Sequence, residues 1–292
     1  MTNKEIEERK FRPARQEARD ARQAVSTPQT SSAAYKLAFQ DTDFLLREDL
    51  RPVRFQLELL KPELLMNEAK IESTFVMYGS ARIPNPETAQ AGIDAATTDE
   101  QRQVAQKLAE KAHYYDVARE LGRIAGAYPV GENGKRNFVV CSGGGPSIME
   151  AANRGAADVG AESIGMNIVL PHEQAPNTYV TPELSFQFHY FALRKMHFLL
   201  RARALAVFPG GFGTFDEFFE LLTLIQTGKM KPIPILLFGK SFWTRVVNFE
   251  ALAEEGVISP ADLNLFTWVE TAEEGWEAVR AFYNDRDTPL AG

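Results

Sequence analysis

Two clusters of residues have the types and spacing to do chemistry on a phosphorylated ligand. The first is Phe208-Pro209-Gly210-Gly211-Phe212-Gly213-Thr214-Phe215-Asp216-Glu217. An apolar run, Ala204 to Phe208, stops at a glycine-rich turn; two acids and an aromatic, apolar-rich segment, Phe218 to Ile225, follow at helical spacing. This pattern predicts a strand, a tight loop and a helix N-terminus. Unbonded backbone N–H groups at such an end, with the positive end of the helix dipole, attract anions. A phosphate fits, and a carboxylate three residues past the loop then lies close to whatever the phosphate is attached to. On spacing alone Thr214 and Glu217 equally fit a capping box, with the threonine oxygen taking a first-turn N–H and the glutamate reaching back. However, two carboxylates beside a phosphate repel it, while an acid there gains only about 0.3–1 kcal/mol from the dipole. The conflict is relieved if one acid, Glu217, works on the ligand. It would contact ribose hydroxyls, activate water or stabilise a cationic transition state.

The second cluster is His189-Tyr190-Phe191-Ala192-Leu193-Arg194-Lys195-Met196-His197-Phe198. On a helix, Arg194, His197 and Arg201 share one face at i, i+3 and i+7. Arg194 offers a planar fork suited to phosphate, carboxylate or base stacking. The structural alternative is a solvated basic stripe, or ion pairs to neighbouring helices. This helix directly precedes the strand that feeds the Pro-Gly-Gly loop, so its start is expected near that loop. That singles out Arg194.

The elements that must position these clusters follow from residue 73 onward. Strand-like apolar runs occur at 74–78, 138–141, 164–170, 204–208 and 233–238, with a last one near 265–269. Amphipathic segments lie at 99–127, 146–158, 190–203, 214–228, 241–255 and 271–284. Strands alternating with helices predict an α/β fold: a doubly wound, Rossmann-like parallel sheet covered on both faces. In such a sheet the loops Gly79-Ser80-Ala81-Arg82, Ser142-Gly143-Gly144-Gly145-Pro146-Ser147 and Pro209 to Thr214 all emerge at the carboxyl edge, where ligands bind at the switch in strand order. Glycine also simply makes tight turns, but three such loops can converge on one phosphorylated ligand. Pro146 suits the first position of a helix, with Gly145 as its cap. The stretch 84–136 is long for one crossover and reads as an insertion carrying its own helix. Upstream, residues 1–24 are charged and poor in large apolar residues, so they form a solvated helix or stay disordered. Residues 1–34 together make a charged segment and linker. Residues 35–72 make a helical extension, with Pro52 and Pro62 marking helix starts or breaks. Residues 73–292 are expected to make the nucleotide-binding catalytic domain.

Composition bounds the function. The chain has 292 residues, 45% of them apolar, and a net charge of −7. It can build a full core, and its acidity disfavours nucleic-acid binding through a broad basic face. The single Cys141 allows no intrachain disulfide or Cys-rich zinc site, and it is expected to be a buried structural thiol. The histidines His113, His172, His189 and His197 have no metal-ligand spacing, so no metal site is expected. No apolar stretch reaches 18 residues and the N-terminus is charged, so a soluble cytoplasmic protein without a membrane partner is expected. Known fingerprints fail. The dinucleotide pattern lacks its third glycine at Ile148 and, in the later loop, at Asp216. The triplet Gly239-Lys240-Ser241 lacks the upstream Walker glycine, since Pro234 stands there.

Pro209-Gly210-Gly211-x-Gly213-Thr214-x-x-Glu217 resembles the signature of the LONELY GUY (LOG) family, long labelled "lysine decarboxylase-like". Gly143-Gly144-Gly145-Pro146-Ser147-Ile148-Met149-Glu150-Ala151-Ala152-Asn153 is similar to the family's second glycine motif. Arg194-Lys195-Met196 resembles its Arg-Lys segment, and Tyr78-Gly79-Ser80-Ala81 its first-strand turn. The resemblance covers about 73–82 and 137–284. It implies a Rossmann-like phosphoribohydrolase that cleaves the N-glycosidic bond of a purine nucleoside 5′-monophosphate, AMP or a cytokinin nucleotide, to free base and ribose 5-phosphate. It implies that Arg194 and Glu217 are the catalytic pair. Phosphate and nucleotide binding would fall to Gly79, Ser80, Gly143, Gly144, Gly145, Met149, Glu150, Lys195, Pro209, Gly210, Gly211, Gly213 and Thr214. It implies no cofactor, and a homodimer or larger homo-oligomer. Asp216 replaces the family's usual acid before the motif glutamate, and Ser147 stands where many relatives have glycine. The N-terminal seventy residues and the 84–136 insertion resemble the longer bacterial class.

Two rival functions follow from the same residues. Some Rossmann relatives of the family carry molybdenum cofactor, so a non-catalytic nucleotide or cofactor carrier is the alternative. True amino-acid decarboxylation would need a pyridoxal phosphate Schiff base, and Lys195, the only lysine near the motifs, fits it poorly.

Overall fold

The computed structural model describes residues 12–22, 25–170 and 175–284. The first eleven residues, 23–24 and His172 therefore lie outside the described residues. The chain divides into two compact units near Glu58. The first holds α1 (Ala14–Ala21), the single turn α2 (Thr42–Leu45) and the start of α3 (Arg51–Glu68). Asp41 caps α2 by accepting the Phe44 N–H at 3.3 Å. Pro62 does not break the chain's helical course, as the sequence suggested it would. It lies inside α3, buried, where the helix forgoes one backbone bond.

The second unit is built on seven strands: β1 (Thr74–Tyr78), β2 (Val139–Ser142), β3 (Ile164–Ile168), β4 (Ser185–Phe188), β5 (Ala202–Val207), β6 (Ile235–Phe238) and β7 (Thr267–Val269). All pair in parallel, in the order β4-β3-β2-β1-β5-β6-β7. The doubly wound α/β sheet expected from the alternation is therefore present. Its order runs outward from β1 in both directions, so the crevice of strand reversal lies between the loops after β1 and β5.

The helices are α4 (Pro86–Asp94), α5 (Asp99–Ala109), α6 (His113–Gly126), α7 (Ile148–Asp158), α8 (Phe191–Leu200), α9 (Phe212–Gln226), α10 (Lys240–Val246), α11 (Phe249–Glu254) and α12 (Ala272–Asn284). The insertion thus carries three helices rather than one. Successive side chains of a strand point to opposite faces, and β1 divides accordingly. Phe75 and Met77 join a core with Tyr114, Tyr115, Ile148 and Val279, from α6, α7 and α12. Val76 and Tyr78 join the other core with Phe198 of α8 and Phe218 of α9. Cys141 is fully buried in that second core, as expected of a structural thiol. Among the described residues, no helix is long and apolar enough to cross a membrane, and no cluster of His, Cys, Asp and Glu has the makings of a metal site.

Candidate active site

The three glycine loops meet at the carboxyl edge, and one residue ties them together. Ser80, after β1, donates its N–H to the Pro209 carbonyl at 3.1 Å, while its own carbonyl accepts the Ile148 N–H at 3.4 Å. The loop after β1 therefore touches both the Pro-Gly-Gly loop and the start of α7.

The second glycine loop is held by buried polar groups. The Ser142 hydroxyl accepts the Gly144 N–H at 3.0 Å and lies 2.7 Å from Asn153 Oδ1. Asn177 clamps the loop from outside. Its backbone N–H donates to the Gly144 carbonyl at 2.8 Å, and its amide donates to the Gly145 carbonyl at 3.0 Å and to Asn153 Oδ1 at 3.0 Å. Gly144 has φ +73°, and a Cβ there would stand 2.3 Å from Asn167 Oδ1, so no other residue fits without displacement. A Cβ on Gly143 would stand 2.7 Å from Met149 Sδ and 2.8 Å from Arg194 Nη2. This places Met149 and the arginine head directly against the loop. The sequence expectation that Pro146 opens the following helix is not met. α7 begins at Ile148, and Ser147 precedes it with φ 66°, its hydroxyl given to the Ile83 carbonyl.

The Pro-Gly-Gly loop leads into α9, whose N-cap is Gly211 and which has no side-chain cap. The capping box open to Thr214 and Glu217 is absent. Since the helix starts at Phe212, Glu217 is a full turn too deep to reach the cap. Thr214 is instead buried, with its Oγ1 2.2 Å from where a Gly210 Cβ would sit. Around Gly211 and Gly213 the space is open, and the unbonded N–H groups of the first turn remain for an anion. No acid occupies that first turn.

Arg194 and Glu217 come together. Arg194 Nη1 donates to Glu217 Oε1 at 2.8 Å, with the side chains 11% and 13% exposed. Arg194 Nε donates to the Met166 carbonyl of β3 at 2.7 Å, and the guanidinium lies over the Phe198 ring, 4.9 Å from its centre. Three anchors thus fix the arginine. Burial, opposed by the Arg194 charge, pushes the Glu217 carboxyl up from its ordinary 4.5 to about 7. A carboxylate at that value can take or give a proton near neutrality.

Two other residues on which binding was expected are occupied by protein partners. Glu150 accepts the Tyr115 hydroxyl at 2.7 Å. Lys195 pairs with Asp216 and Glu220, both at 3.1 Å. Of the basic stripe, Arg194 and His197 are buried, and Arg201 pairs with Glu63 of α3 at 2.8 Å, the ion pair to a neighbouring helix. Asn177 escapes the sequence reading, where it shows only as an amide-bearing residue within a polar loop.

Residues 149–279 match the family model described as "Possible lysine decarboxylase". The chain is 27% identical over 169 residues to the cytokinin riboside 5′-monophosphate phosphoribohydrolase LOG3 of Arabidopsis thaliana, covering 56% of this chain and 74% of that protein. The resemblance to the LONELY GUY family is borne out. A second relative is the probable cytokinin riboside 5′-monophosphate phosphoribohydrolase LOGL3 of Oryza sativa subsp. japonica. It is 26% identical over 186 residues, which cover 60% of this chain and 81% of that one. Among solved structures, the molybdenum cofactor binding protein of Rippkaea orientalis aligns with 73% of this chain and 96% of its own, at 16% identity and a TM-score of 0.43. The family match contains Met149, Glu150, Arg194, Lys195 and the stretch from Pro209 to Glu217. The turn at Gly79 and the glycines 143–145 lie upstream of it.

Proposed function

We propose that the protein is a phosphoribohydrolase that cleaves the N-glycosidic bond of a purine nucleoside 5′-monophosphate, AMP or a cytokinin nucleotide. The observation that carries this reading is the buried Arg194–Glu217 pair one turn past an uncapped helix N-terminus. The 5′-phosphate docks on the open backbone of Gly210, Gly211, Gly213 and Thr214, with Gly79, Ser80 and the glycines 143–145 walling the crevice. The part of a nucleotide next to its phosphate is the ribose, which then lies beside Glu217.

Water supplies the atoms of the reaction. Glu217 takes a proton from a water that attacks C1′ as the C1′–N bond breaks. The base leaves with that bond's electron pair and takes up a proton, balanced by the one that water gave to Glu217, and ribose 5-phosphate remains. A carboxyl near 7 is matched to this task. Arg194 holds the carboxylate and offers Nη2, beside Gly143, to the phosphate or base. Lys195, Met149 and Glu150 shape the site through their contacts with Asp216, Gly143 and Tyr115. The protein is expected to act as a homodimer or larger assembly in the cytoplasm, which sedimentation and fractionation would check.

The test is a panel of nucleoside monophosphates followed by chromatography. Free base and ribose 5-phosphate are expected from AMP or a cytokinin monophosphate. Tight binding of a nucleotide or molybdenum cofactor without turnover would instead favour the carrier reading.

A further inference from the structure

Tyr78 ends β1, the strand at the centre of the sheet's reversal, and only 3% of it is exposed. Its ring packs edge-on against Phe198, 5.1 Å between centres, and Phe198 is the ring under the Arg194 guanidinium. Its carbonyl accepts the Phe208 N–H at 2.8 Å, which fixes the strand end against the Pro-Gly-Gly loop. The hydroxyl, by contrast, makes no hydrogen bond with any described residue. The ring is buried, but the hydroxyl is not one of the described side-chain oxygens sealed from solvent without a partner, so it is left for solvent or a ligand.

The surroundings of the hydroxyl indicate what that partner is. The charged groups acting on it are Glu217 and Glu220 of α9 and Arg194 of α8, and Cys141 of β2 shares its core. Burial first, and then the Glu217 charge, hold the phenol well above its ordinary value, so it stays a neutral O–H. Such a group both donates to and accepts from an alcohol. Its ring packs on Phe198, which underlies the Arg194 that holds Glu217, and its strand end is bonded to Phe208 at the start of the Pro-Gly-Gly loop.

We propose that Tyr78 is a specificity-determining residue that hydrogen-bonds a ribose hydroxyl of the bound nucleotide. This rests on the reading of the site given above. Among the described residues the hydroxyl has no hydrogen-bond partner, so Tyr78→Phe is expected to keep the packing and remove only the ligand contact.

The test uses sugar phosphates that cannot be cleaved: ribose 5-phosphate, 2-deoxyribose 5-phosphate and 3-deoxyribose 5-phosphate. Each is titrated into the full chain and into Tyr78→Phe by calorimetry. The melting temperature of the free variant is expected to match or exceed that of the wild type. Its affinity for ribose 5-phosphate is expected to fall by about tenfold, and that for one of the two deoxy sugars by less than about twofold, because the contact is already missing there. Equal losses on all three ligands, no loss on ribose 5-phosphate, or a melting temperature several degrees lower would each overturn the assignment. Nucleotide hydrolysis is followed separately. Sugar phosphate binding without hydrolysis would remove the hydrolase reading and leave the Tyr78 comparison standing.

Discussion

Helices α8 and α9 are joined by two sets of ion pairs one residue apart. Arg194 meets Glu217 on the inner side, and Lys195 meets Asp216 and Glu220 on the outer side. The distances are alike, 2.8 Å against 3.1 Å, but the surroundings are not. Arg194 and Glu217 are 11% and 13% exposed, whereas Asp216 is 56% exposed. In water an ion pair of this kind contributes about 0–1 kcal/mol. Out of water the desolvation of the carboxylate outweighs even a bonded arginine, and Glu217 rises to about 7. Burial, more than pairing, is what separates the raised carboxyl of Glu217 from the outer brace between the helices.

Predictions that break this comparison begin with activity. Arg194→Ala is expected to lower kcat/KM for AMP by about 10²–10⁴-fold, as loss of a group that orients the reacting carboxylate and the substrate charge. Steady-state assays of base release check it. Stability should separate the two pairs next. At pH 8, Arg194→Ala is expected to cost about 3–5 kcal/mol in urea unfolding, since it strands a buried charge. At pH 5 the loss should shrink, because Glu217 is then protonated.

The pH dependence sharpens the same point. A carboxyl raised in the folded state stabilises the fold below about 4.5, and that contribution is lost as pH climbs through about 7. The Glu217→Gln variant, which cannot ionise, should therefore gain up to about 3 kcal/mol relative to the wild type between pH 5 and 8.5. Urea midpoints across that range would read it; a difference independent of pH would mean that Glu217 titrates at its ordinary value. The smallest effect belongs to Lys195→Ala, expected to cost under about 1 kcal/mol of stability and to change kcat/KM only a few-fold.

How far the sequence carries depends on whether a feature is local. β1 is legible to the residue because Thr74 and four apolar residues end at a glycine. β4 escapes notice because Ser185 to Phe188 is a four-residue edge strand, too short for its alternation to stand out. Residues 99–127 read as one helix but form two, α5 and α6, since no glycine or proline marks the break at 110–112. In the candidate site, the glycine loops and the two members of the inner pair are visible as motifs. Their union is not, because Arg194 and Glu217 lie 23 residues apart and meet only through the packing of α8 and α9. The same holds for Asn177, which reaches back 33 residues to Gly144. Lys195 carries no local sign that its charge is spent on Asp216 and Glu220 rather than kept for a ligand.

The most direct measurement compares neighbouring acids. Glu217→Gln and Asp216→Asn each remove one charge from the same turn of α9. With AMP or a cytokinin monophosphate at saturation, and free base followed by chromatography, Glu217→Gln is expected to lose about 10²–10⁴-fold in kcat while Asp216→Asn stays within a few-fold of wild type. Full rate in Glu217→Gln, or equal losses in the two variants, would contradict the account.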